Sequence, residues 1–393
     1  MADFGLNEEE RMVQQLAHEF AVKEIRPMAA YYDEHEELPR DIMLKANQLG
    51  LSAGMMGQGA SMLVSPVVTE ELSWGDSGVA ISISSSGLAL AAIMAMATED
   101  QKKEWFPKCV STETELKLGA FGLTEPEAGS DVANISTTAV RDGDDYILNG
   151  TKRFITNGGI ADVHVIFATE DKSKKWGGLC AFAIEKGTPG LSMGTVWKKM
   201  GIRASWTADV VLDDCRVPAR NRLGPEPGAP PGAGGGGGGA IGALGALERT
   251  RPMIGCLALG VGRAAFEYAV DYARERIQFG RPLIANQAIG FKLADMAIEL
   301  DAARLLIWRA TWMAVTGVPF LRGEGSMAKA FPSDAAMRAT VEAVQVLGGY
   351  GYVSEFPVEK WMRDAKIFQI FEGANEIQRL VISRALSGGI KSR

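Results

Sequence analysis

Sulfur and imidazole are scarce in this chain. Its four cysteines (Cys109, Cys180, Cys215, Cys256) and three histidines (His18, His35, His164) are scattered over 393 residues with no C-x-x-C pair and no ligand-like spacing. That pattern argues against a zinc or iron site, and so few thiols fit a reducing, cytoplasmic setting. A cationic excess is also missing: the formal net charge is −7, so no clustered basic footprint for nucleic acid is expected. The N-terminus lacks the charged-then-apolar pattern of a targeting segment and reads as an amphipathic helix. The longest apolar run, Val79 to Ala97, contains Ser82, Ser84, Ser85, Ser86 and Gly87, which favours a buried core helix over membrane insertion. Six consecutive glycines, Gly234 to Gly239, are not followed by the Lys-Ser/Thr of a phosphate-cradling loop. With Pro225, Pro227, Pro230 and Pro231 before them, they read as a flexible loop over 227–240.

What is present is a large apolar fraction, 47%, in three differently patterned stretches. Residues 1–115 read as helical. Acidic residues Glu8, Glu9 and Glu10 sit in a first turn, and Leu16, Phe20, Val22 and Ile25 then recur at helical spacing. Another apolar helix is expected over about 64–72. Residues 116–226 shift to short runs: Leu118–Leu123, Thr137–Val140, Tyr146–Leu148, His164–Ala168, Leu179–Ile184 and Asp209–Leu212. Turn signals at Asp142-Gly143-Asp144, Asn149-Gly150 and Asn157-Gly158-Gly159 separate them, a β pattern with hairpins. From 241 to 393 long helical patterns return, including 264–275, 290–315 and 327–347. The expected class is therefore α+β: an N-terminal α-helical domain, a central β-sheet domain and a C-terminal α-helical bundle.

Two motifs invite a nucleotide reading. Gly260-Val261-Gly262-Arg263-Ala264-Ala265 matches a loose G-x-G-x-x-A, but it lies within one continuous helical pattern rather than between a strand and a helix, so close helix packing explains it better. Phe121 to Val132 ends a strand and enters a polar turn whose hydroxyls and backbone N–H groups suit either a capped turn or a polar ring or phosphate; on the residues alone both readings stand.

The wider set of motifs resembles the acyl-CoA dehydrogenase family across nearly the whole chain. The carriers, in the family's order, are LTEPEAGSDVA (123–133), NGTKRFITNGG (149–159), KMGIRAS (199–205) followed by Val217-Pro218, RERIQFGRPLIANQ (274–287), VQVLGGYGY (344–352) and PVEKWMRDAKIFQIFEGANEIQRLVISR (357–384). The medium-chain and short-chain branch is the nearest in pattern. The resemblance implies an α, β, α succession of domains, a homotetramer, FAD lying between domains and across a subunit contact, an acyl-CoA substrate, and an electron-transfer flavoprotein as acceptor. It implies flavin contacts from Phe121, Leu123, Thr124 and Ser130, an aromatic stack from Phe154 and a hydroxyl near flavin N5 from Thr156. It implies contacts to a neighbouring subunit's cofactor from Arg276, Gln278, Phe279, Gln345 and Gly349, and further cofactor contacts from Gln287, Gly348, Ala374 and Glu376. Ser130, Glu248, Thr250, Arg251 and Gly373 fall on the substrate side.

Glu372 carries the proposed chemistry. It follows Ile367, Phe368, Ile370 and Phe371, and a carboxylate among apolar neighbours has its ionised form disfavoured, which moves it toward the working range of a base. On residues alone it could equally be an acidic group opening a helix; the resemblance implies the base that removes the α-proton. Some branches place that base upstream, at the position of Thr250, which cannot serve as a base at neutral pH. The implied reaction is α,β-dehydrogenation to a trans-2-enoyl-CoA with hydride transfer to flavin N5. Rival readings are a flavin monooxygenase or nitroalkane-oxidase-like relative and a non-catalytic FAD- or acyl-CoA-binding protein. The chain departs from the family pattern at Ala53–Val64, at Ala240, and at Ala374, Glu376 and Phe371, and Ser84, Ser85 and Ser86 suggest either a polar acyl pocket or hydroxyls satisfying helix carbonyls.

Overall fold

A computed structural model describes residues 5–52, 61–225 and 239–388, with side chains from 248 in the last stretch. Asn7 opens α1 (Glu8–Phe20) with a capping box: its Oδ1 accepts from Glu10 N, and the Glu10 carboxylate accepts from Asn7 N, both at 2.9 Å. A π turn (Ala21–Ile25) and a 3-10 turn (Arg26–Met28) lead to α2 (Ala29–His35), α3 (Arg40–Gln48), α4 (Val64–Gly75), α5 (Ser77–Ile83), α6 (Gly87–Met96) and α7 (Glu99–Trp105). The buried stripe differs from expectation. Leu16 and Val22 are 40% and 43% exposed, whereas Ala17, Phe20, Ala21 and Ile25 are buried. Alanines face α4 because the helices approach closely: a Cβ on Gly75 would lie 3.0 Å from the Ala21 Cβ.

The apolar run expected as one helix is broken between α5 and α6 at the three serines. Ser84 Oγ donates back to the Ala80 carbonyl at 2.9 Å, while Ser85 Oγ accepts from Asn157 Nδ2 and Ser86 Oγ from Gly119 N, each at 2.9 Å. These hydroxyls terminate a helix and fasten it to the sheet.

The sheet contains β1 (Gly119–Gly122), β2 (Thr138–Asp142), β3 (Asp145–Thr156), β4 (Val163–Thr169), β5 (Leu179–Glu185), β6 (Leu191–Val196) and β7 (Thr207–Pro218). Its order is β1-β4-β2-β3-β7-β6, with β5 paired to β4. β1 runs parallel to β4, and β2, β3 and β7 form antiparallel neighbours. The Asp142–Asp144 turn joins β2 to β3, with Gly143 at φ +62°. Asn149-Gly150, by contrast, is not a turn. It lies inside β3 at a register shift against β7, where a Cβ on Gly150 would fall 2.5 Å from Thr137 Oγ1; the glycine marks a bulge and a close approach. Strand β6 was not expected; its residues are half-buried or exposed and do not alternate.

The C-terminal part comprises α8 (Gly239–Glu275), a small hairpin of β8 (Ile277–Gln278) and β9 (Arg281–Pro282), then α9 (Gln287–Thr316), α10 (Glu324–Leu347), α11 (Val358–Ala365) and α12 (Asn375–Leu386). The expected loop over 227–240 lies outside the described residues except Gly239 and Ala240, whose backbone already opens α8; most of the Met-rich departure at 53–64 lies outside them too. The G-x-G-x-x-A run sits in the middle of α8. A Cβ on Gly260 would stand 2.4 Å from the Glu70 carbonyl of α4, and one on Gly262 2.9 Å from Leu300, so the glycines serve packing. All three parts meet at Lys360: its ammonium lies between the buried carboxylates of Asp76 and Asp364, and Asp364 Oδ1 also accepts from Ile202 N at 2.5 Å.

Candidate active site

The chain leaves α11 through a 3-10 turn (Lys366–Gln369) and enters α12 behind Ala374, its N-cap residue. Between them Glu372 has φ +56° and Gly373 φ +85°. A left-handed glutamate is a sparsely populated conformation that surrounding structure must hold in place. Two buried donors converge on the Gly373 carbonyl: Lys329 Nζ from α10 at 2.8 Å and Gln378 Nε2 from α12 at 2.7 Å. Gln378 Nε2 also reaches the Glu372 carbonyl at 3.3 Å. At φ +85° glycine is the residue that adopts this turn without strain, and a Cβ there would lie 2.6 Å from that amide nitrogen and displace the donor.

Glu372 therefore precedes the helix; the carboxylate in the first turn of α12 is Glu376, which is exposed. The Glu372 side chain is half-buried, crowded by protein while keeping an opening to solvent. Desolvation raises its carboxyl to about 7, against the opposing pull of the Lys329 and Arg251 cations. Phe371 packs on Phe368, ring centroids 5.6 Å apart. No acceptor among the described residues takes the Glu372 backbone N–H. Opposite, on α8, Arg251 pairs with Glu248 and donates to Ser326 Oγ at 2.7 Å, and Glu248 accepts from Ser326 N at 3.0 Å. Thr250 lies half-buried between them in sequence.

A second group of expected residues meets on the sheet. Strand β3 shifts register against β7 between Lys152 and Ile155, and in that irregularity Phe154 takes φ +58° and stands 57% exposed. Its ring lies 5.1 Å from that of Trp197, whose indole donates to Asp209 at 2.7 Å. Arg153 N donates to the Thr124 carbonyl at 2.8 Å, bringing the loop after β1 beside Phe154. Thr156 is half-buried at the end of β3, opposite Thr207. Phe121 and Leu123 face inward, Phe121 against Phe167 at 5.1 Å and Leu123 buried. Ser130 is exposed on the loop.

Sequence reasoning did not single out what holds that loop. Lys152 is wholly buried, and its Nζ bonds Glu125 at 2.7 Å and the Leu123 carbonyl at 3.3 Å. Glu125 also accepts from Ser136 and Thr137. Both residues lie within the family motifs, but an ion pair between a strand and a loop has no periodic signature. Lys329 and Gln378 escaped notice because a side-chain bond to a backbone carbonyl leaves no pattern in the sequence.

A third group lies on the C-terminal helices. Phe279 (φ +55°) and Gly280 (φ +75°) form the tip of the β8–β9 hairpin, and Phe279 is 93% exposed. The Arg276 guanidinium sits over the Tyr350 ring at 5.6 Å, which places the hairpin beside Gly348 and Gly349. Gln278, Gln287 and Gln345 are exposed. No hydrogen bond, ion pair or ring contact among the described residues joins this group to Thr124, Phe154 or Glu372. The two sets suit a flavin dinucleotide in kind: an exposed aromatic face flanked by hydroxyls for the ring, and a guanidinium for the pyrophosphate.

Three family models match the chain in order: the acyl-CoA dehydrogenase N-terminal domain over residues 7–113, the middle domain over 120–215 and the C-terminal domain over 237–387. The chain belongs to the acyl-CoA dehydrogenase family. Membership makes it an oxidoreductase and a flavoprotein, and the helical, sheet and helical succession is the family's fold. Among its relatives, the short-chain specific acyl-CoA dehydrogenase of Megasphaera elsdenii is 41% identical over 394 residues, covering 98% of this chain and 99% of that protein. The mitochondrial short-chain specific acyl-CoA dehydrogenase of Rattus norvegicus is 41% identical, covering 98% and 92%. Among solved structures, butyryl-CoA dehydrogenase from Megasphaera elsdenii superposes with a TM-score of 0.90 at 40% identity, covering 98% and 100%. A chain from a structure described as the electron transferring flavoprotein of Acidaminococcus fermentans, in work toward a mechanism of flavin-based electron bifurcation, gives the same score and identity, covering 98% and 99%.

Proposed function

We propose that this acyl-CoA dehydrogenase family member oxidises short-chain acyl-CoA thioesters, butyryl-CoA first among them, to trans-2-enoyl-CoA with FAD as its flavin. The observation that carries this reading is the Glu372-Gly373 segment: a half-buried carboxylate raised to about 7, on a backbone whose own N–H has no acceptor among the described residues. Such a carboxylate can take a proton from the carbon beside a thioester carbonyl, a weak carbon acid that needs a base matched to neutral pH. The Glu372 N–H would donate to the thioester oxygen as charge develops there, an oxyanion contact supplied by backbone. The flavin, when bound, supplies the acceptor for the hydride leaving the β-carbon. Thr124, Phe154 and Thr156 would hold its ring. Arg276, Gln278 and Phe279, exposed and apart from that group, would serve a neighbouring subunit's cofactor in a tetramer. Glu248, Thr250, Arg251 and Ser130 would face the thioester side.

The short acyl preference rests on the relatives named short-chain specific at 41% identity. The serines after α5 do not speak for a polar acyl group, since all three hydroxyls are engaged in helix and sheet contacts. An electron-transferring flavoprotein is the proposed oxidant of the reduced enzyme. Anaerobic addition of acyl-CoA thioesters from four to sixteen carbons, with branched members, tests the reading. Fast bleaching of flavin absorbance by the four-carbon thioester is expected; fastest bleaching by a long chain would overturn the short-chain assignment, and none by any member would overturn the activity.

A further inference from the structure

Lys329 is a wholly buried cation whose hydrogen bonds all lead to the catalytic turn. It sits on α10, in a part of the sequence with no catalytic motif. Its Nζ donates to the Gly373 carbonyl and to Asn375 Oδ1, both at 2.8 Å. Asn375 is fixed in turn by Nδ2 bonds to Ser333 Oγ at 2.9 Å and Asp334 Oδ1 at 2.8 Å. Ser333 bonds back to the Lys329 carbonyl at 2.8 Å. The ammonium is thus a fixed point tied to the start of α12, and the left-handed pair Glu372-Gly373 is held against it. Burying a lysine with only a carbonyl and an amide oxygen as direct acceptors is costly, and desolvation does push it down to about 8. A fold gains nothing from a cation there that an uncharged donor would not provide, since Gln378 already supplies such a donor to the same carbonyl at 2.7 Å. What only the cation adds is a positive charge beside Glu372.

We propose that Lys329 is a positioning residue for the proton-abstraction step: by clamping the Gly373 carbonyl from 2.8 Å it holds Glu372 in its left-handed conformation and sets a positive charge one residue from the base. The inference rests on the assignment of Glu372 as the base. Two cations face Glu372, Lys329 from α10 and Arg251 from α8. Arg251 is already paired with Glu248, which leaves Lys329 as the one of the two with no carboxylate bonded to it among the described residues. Asp334 and Glu376 also face Lys329, and both act to keep it protonated.

The test separates this step from oxidation. A butyryl-CoA analogue with sulfur at the β-position has no hydride to give, so exchange of its α-protons with solvent deuterium, followed by mass spectrometry on the flavin-loaded enzyme, reports Glu372 alone. Wild-type exchange should rise with pH through about 7 and vanish in Glu372→Gln. Lys329→Gln, which keeps a donor but removes the charge, should move the midpoint up by about one pH unit, and Lys329→Met should do the same with a lower plateau. Lys329→Arg should restore the wild-type midpoint. Gln378→Leu should lower the plateau and leave the midpoint in place. A wild-type midpoint in either neutral Lys329 variant, with exchange still dependent on Glu372, overturns the role of Lys329 and leaves the base assignment standing. Exchange that survives Glu372→Gln overturns both.

Discussion

Replacing Lys152 by methionine is the most instructive perturbation of the flavin-side loop. Lys152 and Glu125 are both buried, and their bond at 2.7 Å ties β3 to the loop that carries Thr124 and Ser130. Within the pair the carboxyl of Glu125 is held down at about 2, its burial overcome by Lys152 and by the Ser136 and Thr137 donors, while burial pushes Lys152 down to about 8. Against ordinary values of 4.5 and 10.5, each displacement corresponds to about 3 kcal/mol. The two have opposite signs: Glu125 is more stable ionised in the fold, and Lys152 less stable charged. Both displacements contain the same mutual attraction, so they do not sum to a worth for the pair. Breaking it is another matter, because a lone buried carboxylate costs about 3–5 kcal/mol. Lys152→Met is therefore expected to lower stability by about that amount in urea denaturation at pH 7, and Lys152→Met with Glu125→Gln to recover most of it. The sign with pH follows from Glu125: its contribution is present above about 4.5 and is lost as pH falls toward 2, so the single variant should differ least from wild type in acid. A Lys152→Met protein within about 1 kcal/mol of wild type at pH 7, or a double variant no better than the single, would refute the reasoning.

Gly260→Ala sets a Cβ 2.4 Å from the Glu70 carbonyl and 2.7 Å from the Ser73 Cβ; α4 and α8 must part, at a cost of about 2 kcal/mol, measurable as a lowered denaturation midpoint. Phe279→Ser should leave unfolding of the protomer within about 0.5 kcal/mol, since the ring is 93% exposed, yet weaken retention of flavin by about ten- to a hundredfold if the ring is buried against a neighbouring subunit's cofactor; dialysis against flavin-free buffer reads the difference. Glu372 also has a stability signature. Its folded value is raised to about 7, so its ionisation costs stability that grows between about pH 4.5 and 7 and is full above 7. Glu372→Gln is expected to be more stable than wild type by about 1–2 kcal/mol at pH 8, allowing for its solvent opening, and no different at pH 4.

The architecture was legible where local chemistry and packing agree. The Asp142–Asp144 turn needs a positive φ at Gly143 and has the residue for it, and helices α9 and α10 fall close to their expected spans because their apolar positions recur over many turns. Asn149-Gly150 misled because a bulge and a turn draw on the same residues. Strand β6 left no signal because its residues stay half-exposed and carry no alternation. The three serines read as pocket or helix residues, and only the structure shows them joining α5 and α6 to the sheet. Within the site, Glu372 was legible as a carboxylate among apolar neighbours, but its left-handed backbone was not; the Lys329 donor comes from α10, far off in sequence, and Gln378 stood inside a recognised motif without disclosing its bond to the Gly373 carbonyl. Likewise Glu125 and Lys152 stood inside recognised motifs without disclosing that they bond each other.

The base assignment is tested most directly by mixing flavin-loaded Glu372→Gln with butyryl-CoA under anaerobic conditions and following flavin absorbance. Bleaching slowed by at least about a thousandfold, with thioester binding retained, is the predicted result; bleaching within tenfold of the wild-type rate would contradict it.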